Sequence, residues 1–564
     1  MKRFMVFLGA FLVCSTVILG AVNLQHVIPV GSEVYSLVRM LYLEAGAAPP
    51  SSSGPWSAAE LLHHLDRIPQ DRLTQEGKAI MEEVRAMVEM PDTKDKTFHG
   101  SIGFEPTFEM YYHTNDVDYA QETDWVYNYD SRKPLVGIPI ELYMTDHIYS
   151  KVDFAIMKTR FSRNSSSVTD SSEIFSPKFT MNHPFSEGLN HIDLNFPERA
   201  MVGMGIGRNS LTLGRDDLYW SSGKTGSLTV GDHLDYYDFL RFTSFHDKFK
   251  YTYLVAGFDS PSWTGGQDST IDSNDAVEGD SDNVKVYVAH RFEFRMFKDR
   301  VTMALTEAMM YQSSTLDFRY LNPALFYHNL FTRSNSNSTL ALELSVNPFK
   351  YLHVWANFLV DEFPYPGEDQ TSSSARPTGI GQQYGIEGMY PMGPGFISGW
   401  FEYVKTDPYL YLRNHVDYIV NRRMFNLESD IAIKKNFMGY EFGNDLIMVA
   451  TGFGYTIPRL FSGTLSASYM LHGENSMSTV WGEGPTHVNK TTPWDDPLTA
   501  ATVEKSLTIS ANAQAHPFQD ASSKHLRNIG VMTQVDYLKH WNRDNVKDVT
   551  TDDIQVTFGV SWKL

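Results

Sequence analysis

Apolar and polar side chains alternate strictly through residues 554–564. Ile554, Val556, Phe558, Val560, Trp562 and Leu564 are apolar, while Gln555, Thr557, Gly559, Ser561 and Lys563 are polar or small. A period of two puts the apolar set on one face of a strand. In a soluble sheet that face meets a core; at the end of a secreted chain it meets lipid and closes a barrel. The same period marks Val136, Ile138, Ile140, Leu142 and Met144, which return as Val152, Phe154 and Ile156 after the turn Thr145-Asp146-His147. Further tight turns are predicted at His246-Asp247-Lys248, Lys298-Asp299 and Asn347-Pro348-Phe349-Lys350, each beside alternating runs. Their opposite ends are joined by long polar segments: Arg163 to Ser172, Asp259 to Asn283, Ser313 to Ser338 and Tyr365 to Gln383. Short turns on one side and long loops on the other are the habit of outer-membrane barrels, and a soluble sandwich has no reason to segregate them. Residues 96–564 are therefore expected to form an all-β, antiparallel transmembrane barrel of about 16–18 strands, at roughly 10 residues per strand.

Residues 22–95 read differently. Val34, Leu37, Val38 and Leu41 repeat at three and four residues, as one helix face requires. Ser57-Ala58-Ala59-Glu60 is a capping box opening a second helix with the stripe Leu61, Leu62, Leu65 and Ile68, which Pro69 ends. A third helix is predicted from Thr74, carrying Ile80, Val84, Met87 and Val88, before Pro91. This is expected to be a small periplasmic helical domain, able to dock on a periplasmic protein partner.

Residues 1–21 form a secretory signal: Lys2 and Arg3 give the positive start, Phe4 to Leu19 the apolar run, and Leu19-Gly20-Ala21 an imperfect cleavage site. The only cysteine, Cys14, lies inside it, so disulfides and thiolate chemistry are excluded from the mature chain. Beyond the signal no apolar stretch is long enough to span a bilayer as a helix. Aromatic residues make up 13% and charged residues only 20%, which suits strands that touch lipid at alternate positions. The net charge is −20, and loss of Lys2 and Arg3 makes it more negative still. Such a surface repels nucleic acid. The expected location is the outer membrane, with lipid as one partner.

Several phrases carry a family resemblance. They are Gly214-Arg215-Asp216-Asp217-Leu218-Tyr219-Trp220, Gly223-Lys224-Thr225-Gly226-Ser227-Leu228, Phe318-Arg319-Tyr320-Leu321-Asn322-Pro323 and Leu359-Val360-Asp361-Glu362-Phe363. Phe401 to Tyr411 and Gly439 to Asp445 follow in order, behind a helical region with Pro55-Trp56 before its capping box. In this order and spacing, from about residue 28 to the C-terminus, the chain resembles the Wzi-like capsule assembly family. The resemblance implies an outer-membrane barrel with periplasmic helices that holds capsular polysaccharide at the surface, without catalysis. The family's tryptophan-glycine near Trp220 reads Trp220-Ser221-Ser222-Gly223 here, and several outer loops are unfamiliar, which puts the identity of the sugar in doubt.

Candidate chemistry follows the same phrases. Gly203, Gly205 and Gly207 alternate with Val202, Met204 and Ile206, and Arg208 breaks any dinucleotide fingerprint. A glycine ridge serves either close approach of another backbone or sugar face, or bending of the wall. Arg215, Asp216, Asp217 and Trp220 combine planar donors, acceptors for hydroxyls and an apolar plate, as a sugar site does; a lumenal ion-pair network with a girdle tryptophan is the reading that competes with it and is preferred. Arg319, Asn322, Asp361 and Glu362 near strand ends are further ligand candidates. Asp361 and Glu362 are adjacent in a strand and point to opposite faces, so they are poorly placed as a glycosidase pair. The acidic loop Asp268 to Asp282 lacks EF-hand spacing and reads as a solvated surface, with calcium left open. His63-His64 diverge on a helix, and neither an HExxH nor a GxSxG pattern occurs. No cofactor, metal or catalytic residue is assigned. The reading is an outer-membrane protein that binds or retains surface polysaccharide non-enzymatically, with a porin and an outer-membrane glycan or lipid hydrolase as alternatives.

Overall fold

The computed structural model describes residues 23–88, 98–164, 167–185, 191–194, 198–259, 284–327, 335–363, 377–413, 416–427, 431–479, 498–499, 501–519 and 521–564. The signal at 1–21, the junction at 95/96 and the acidic loop 268–282 lie outside the described residues.

Eighteen antiparallel strands close a barrel. In chain order they are β1 (Phe98–Ile102, continuing as Glu105–His113), β2 (Val136–Met144), β3 (Ile148–Ile156), β4 (Arg199–Ile206), β5 (Asn209–Asp216) and β6 (Tyr237–Phe245). Next come β7 (Phe249–Phe258), β8 (Val284–Met296), β9 (Val301–Ser313), β10 (Ser336–Val346), β11 (Leu352–Glu362) and β12 (Gly379–Met392). The last are β13 (Gly395–Thr406), β14 (Leu446–Ile457), β15 (Phe461–His472), β16 (Glu504–Ala515), β17 (Ile529–Trp541) and β18 (Thr550–Trp562). Each strand pairs with the next, and β18 returns to β1, with Val556 opposite Tyr112 and Phe558 opposite Met110. Closure leaves no edge, which hydrocarbon would not tolerate. Along β18, Asp553, Gln555 and Thr557 are buried inward while Ile554 and Phe558 face out. The four predicted tight turns all lie at one end of the barrel. The predicted loops overran the strands slightly: Ser336 to Ser338 belong to β10 and Gly379 to Gln383 to β12, because their inward polar side chains look like loop.

Three helices, α1 (Glu33–Glu44), α2 (Ala58–Asp66) and α3 (Gln75–Val88), lie at the tight-turn end. Leu37, Val38 and Leu41 of α1 pack with Leu61 and Leu65 of α2, Ile80 and Val84 of α3, and Met389 and Phe396 of the barrel as one core. Backbone bonds fasten them to the turns: Tyr351 N donates to Leu43 O at 2.9 Å and Ala48 N to Asp299 O at 2.8 Å. Half of the capping box forms, with Glu60 N donating to Ser57 Oγ at 3.2 Å. The Glu60 carboxylate turns instead to Lys250 Nζ of β7, 2.5 Å away, since a buried lumenal ammonium is a stronger partner than an amide.

The lumen is filled from both ends. Residues 49–57 enter from the helices and residues 217–234 fold in from the long-loop end. They meet as a short antiparallel pair, Tyr219 opposite Gly54 and Trp220 opposite Ser53.

Candidate functional site

Inward positions of β7 to β13 carry the charges that hold these two insertions. Arg291 is fully buried and forks onto Glu343 at 2.7 and 2.9 Å, while its Nη2 donates to Ser52 Oγ at 2.6 Å. Lys250 donates to Ser51 Oγ and Ser53 O, both at 3.0 Å. From the other insertion, Lys224 N and Thr225 N each donate to the Glu402 carboxylate at 2.9 Å. Lys224 Nζ pairs with Glu387, which also takes Arg39 at 3.2 Å. Burial and the neighbouring Arg39 charge pull the Lys224 ammonium down to about 8. Buried ions need such full pairing, and here the pairing ties three distant segments together.

The opposite wall, β13 to β17, is lined by small residues: Ala450, Ser466, Ser468, Ser506, Thr508 and Ser510. A cavity of about 1070 Å³ remains between them and the insertions. It reaches from Val30 and Gly31 to Glu122, Asn128, Lys434 and His540 near the long loops. Trp400 and Tyr219 offer ring faces along it, and the serine and threonine hydroxyls offer donors and acceptors.

A second pocket of about 90 Å³ opens among the long loops, bounded by Tyr129, Arg132, Arg160, Asp193, Asp217 and Tyr236. Arg132 is only 7% exposed, and its guanidinium lies 4.0 Å from the Tyr111 ring, 4.4 Å from Phe175 and 4.9 Å from Trp125. Its Nε and Nη2 have no acceptor among the described residues. Beside it Arg160 contacts Asp130 and Asp235, each at 2.8 Å, and Lys434 contacts Glu122 at 2.9 Å and Asp130 at 3.1 Å. Burial, reinforced by the Asp235 charge, pushes the Asp130 carboxyl up to about 7. Burial also acts on Asp235, but Arg160 and Lys434 override it and hold that carboxyl below its ordinary range.

The sequence candidates fall in separate places. Arg215 forks onto Asp238 at 2.8 and 3.0 Å and stacks on Tyr236. Asp217 faces the outer pocket and is held by Arg199 at 2.9 Å, while Asp216 contacts the same arginine at 3.3 Å. Trp220 is fully buried at the meeting of the two insertions. Arg319 and Asn322 lie outside the barrel wall, Arg319 paired to its own Asp317 and Asn322 Oδ1 accepting from Ala324 N at 3.0 Å. Asp361 is buried and accepts from Tyr411 N at 2.9 Å, whereas Glu362 pairs with Arg413 at 3.0 Å. Of the sequence candidates Asp216 and Asp217 share a partner, Arg199, while Arg215 points to the other face of β5. The glycine run serves close approach, but of the chain's own residue 25: a Cβ at Gly203 would lie 3.6 Å from Gln25 O, and one at Gly205 2.6 Å from its amide. Sequence reasoning missed Arg132, Trp400 and the hydroxyl wall. The alternation Ser466, Ser468 and Ser506, Thr508, Ser510 was the available signal for a thinly filled side of the lumen.

No protein-family model and no curated protein matches the chain in sequence. In structure it is similar to Wzi of Escherichia coli, an outer-membrane protein involved in group 1 capsule assembly and described as a carbohydrate-binding β-barrel. The TM-score is 0.55 at 10% identity, covering 95% of this chain and 99% of that one. OccK3 of Pseudomonas aeruginosa (TM-score 0.38, 9% identity, 82% and 95% covered) and the outer-membrane channel DcaP of Acinetobacter baumannii (0.32, 11%, 83% and 97%) also match. The fold is that of the capsule-assembly barrel, and the chain is an outer-membrane β-barrel.

Proposed function

We propose that the protein binds surface polysaccharide, non-enzymatically, in the pocket at the long-loop end and the hydroxyl-lined cavity below it. The observation that carries this reading is the lumen itself. Its centre is closed by two insertions locked through buried ion pairs, while the space left over offers indole and phenol rings, hydroxyls and a buried guanidinium whose Nε and Nη2 have no acceptor among the described residues. Those are the groups that recognise a sugar's C–H face and its hydroxyls. The likeness to a carbohydrate-binding barrel agrees with it. Catalysis forms no part of the proposal, since Asp361 and Glu362 answer to different partners on opposite faces.

The test is binding of purified protein to the polysaccharide of its own cell surface, with Arg132→Ala and Trp400→Ala compared with the parent. Each change is expected to weaken binding at least several-fold with the fold intact; unchanged binding in both overturns the assignment. A second reading, slow passage of small solutes, is favoured by one observation, the cavity's reach from Gly31 to His540.

A further inference from the structure

Strand parity puts Tyr251, Tyr253, His290 and Glu307 on the outside of the wall, where neighbours such as Phe292, Met303 and Leu305 face lipid. Polar groups there are costly unless covered. Residues 314–327, which leave the end of β9, cover them. Tyr253 OH donates to Leu321 O at 2.8 Å and Tyr251 OH to Pro323 O at 3.2 Å. Tyr327 stacks on His290 at 4.8 Å, and Tyr320 packs on Tyr311 at 4.8 Å. Tyr251 and Tyr253 stand in the half of β7 nearest its tight turn, and His290 and Glu307 stand midway along their strands. The segment therefore descends along the outer wall to about mid-height instead of rising into solvent.

Irregular backbone at that depth must satisfy its own polar groups. This one does so for part of its length. The N–H groups of Tyr320 and Leu321 donate to Asp317 O, and that of Leu325 donates to Asn322 O. The N–H groups of Arg319 and Ala324 are taken by Asp317 and Asn322 side chains at 2.9 and 3.0 Å. The Arg319 guanidinium is neutralised within the loop by Asp317. The loop turns outward Leu316, Phe318 and Phe326, which are 57%, 83% and 64% exposed, together with the half-exposed Arg319 held by Asp317 and the exposed Asn322.

We infer that residues 314–327 are a strap seated in the acyl-chain region of the outer membrane, roofing a polar patch of the wall and presenting Leu316, Phe318 and Phe326 to lipid. A second copy of the chain on this face is the competing occupant. The segment's depth on the outward face, beside His290 and Glu307 at the middle of their strands, and its scattered apolar tips favour lipid.

The experiment uses the full chain in a Cys14→Ser background, which leaves no other thiol. Leu316→Cys, Phe318→Cys and Phe326→Cys are each labelled with a polarity-sensitive fluorophore in phosphatidylcholine vesicles. Phe349→Cys, at a tight turn and 71% exposed, is the aqueous control. All three strap positions remove an exposed ring or branch, so folding is not at stake; the heat-modifiable band of a folded barrel checks this. The expected result is blue-shifted emission at the strap, quenched several-fold more by bromine-labelled acyl chains than by iodide, with the reverse at the control. Iodide quenching equal to the control overturns the inference, because the loop is then in water. Resistance to both quenchers with thiol cross-linking between copies overturns it in favour of a protein contact.

Discussion

At the scale of single residues, two positions expose how tightly the interior is specified. Gly205 faces Gln25 across a gap that no side chain fits: its Cβ would stand 2.3 Å from Asn209 O and 2.6 Å from the Gln25 amide. Gly205→Val should therefore lower stability by about 1–3 kcal/mol through overpacking, and Gly203→Ala, with its nearest neighbour at 3.6 Å, should be nearly neutral. Thermal unfolding in detergent separates them. Asp130 supplies a pH dependence. Its folded pKa, raised to about 7, lies above the value near 4 of an unfolded aspartate. Between those values the folded state holds a proton that the unfolded state has released. The loop cluster around Arg160 and Lys434 is thus firmest below pH 4 and loosens until pH has risen through 7, by at most about 4 kcal/mol in all, of which about 1.4 kcal/mol falls between pH 6 and 8. Amide exchange over residues 119–132 should speed up between pH 6 and 8 in the parent. In Asp130→Asn it should show no such step beyond the intrinsic chemical rate.

At the scale of elements, the insertion of residues 49–57 rests on Arg291 and Glu343, joined across three strands. Arg291→Met leaves Glu343 and Glu293 buried without their guanidinium, and breaking a buried pair typically costs about 3–5 kcal/mol. The double change Arg291→Met with Glu343→Leu should recover part of that loss. Melting temperatures of the two variants measure it, and equal melting of single and double variants would refute the coupling. The contrast between strand and insertion also shows what the sequence made legible. Outward positions that meet bare lipid read clearly because lipid demands apolar residues there, so Ile554 to Trp562 and Val136 to Met144 announced themselves. Inward positions did not. Arg291 and Ser52 are 239 residues apart, and an inward polar residue looks the same whether it meets water or an ion partner. Arg319 was misleading for the opposite reason: its phrase reads as an outer loop, and nothing local reports that the loop folds back over the wall.

At the scale of the whole molecule, the two insertions decide between holding a polymer and passing solutes. An open barrel of 16–18 strands leaves an aqueous channel, whereas this one has its centre crossed by chain from both ends. The residual route beside β14 to β16 is walled by serines and alanine on one side and by Arg39, Tyr219 and Lys224 on the other. The parent in a planar bilayer should conduct only a small fraction of the current of a general porin. Deleting residues 217–234 removes one insertion and the partner strand of Ser53–Gly54 together, so conductance should rise at least several-fold while the barrel stays folded. Each outcome points somewhere: a large current in the parent favours the channel reading over polysaccharide binding. A small current that the deletion does not raise means the helices and residues 49–57 close the lumen unaided. A rise confined to the deletion shows that an outer loop, reaching down to meet the N-terminal chain, is what keeps this barrel shut.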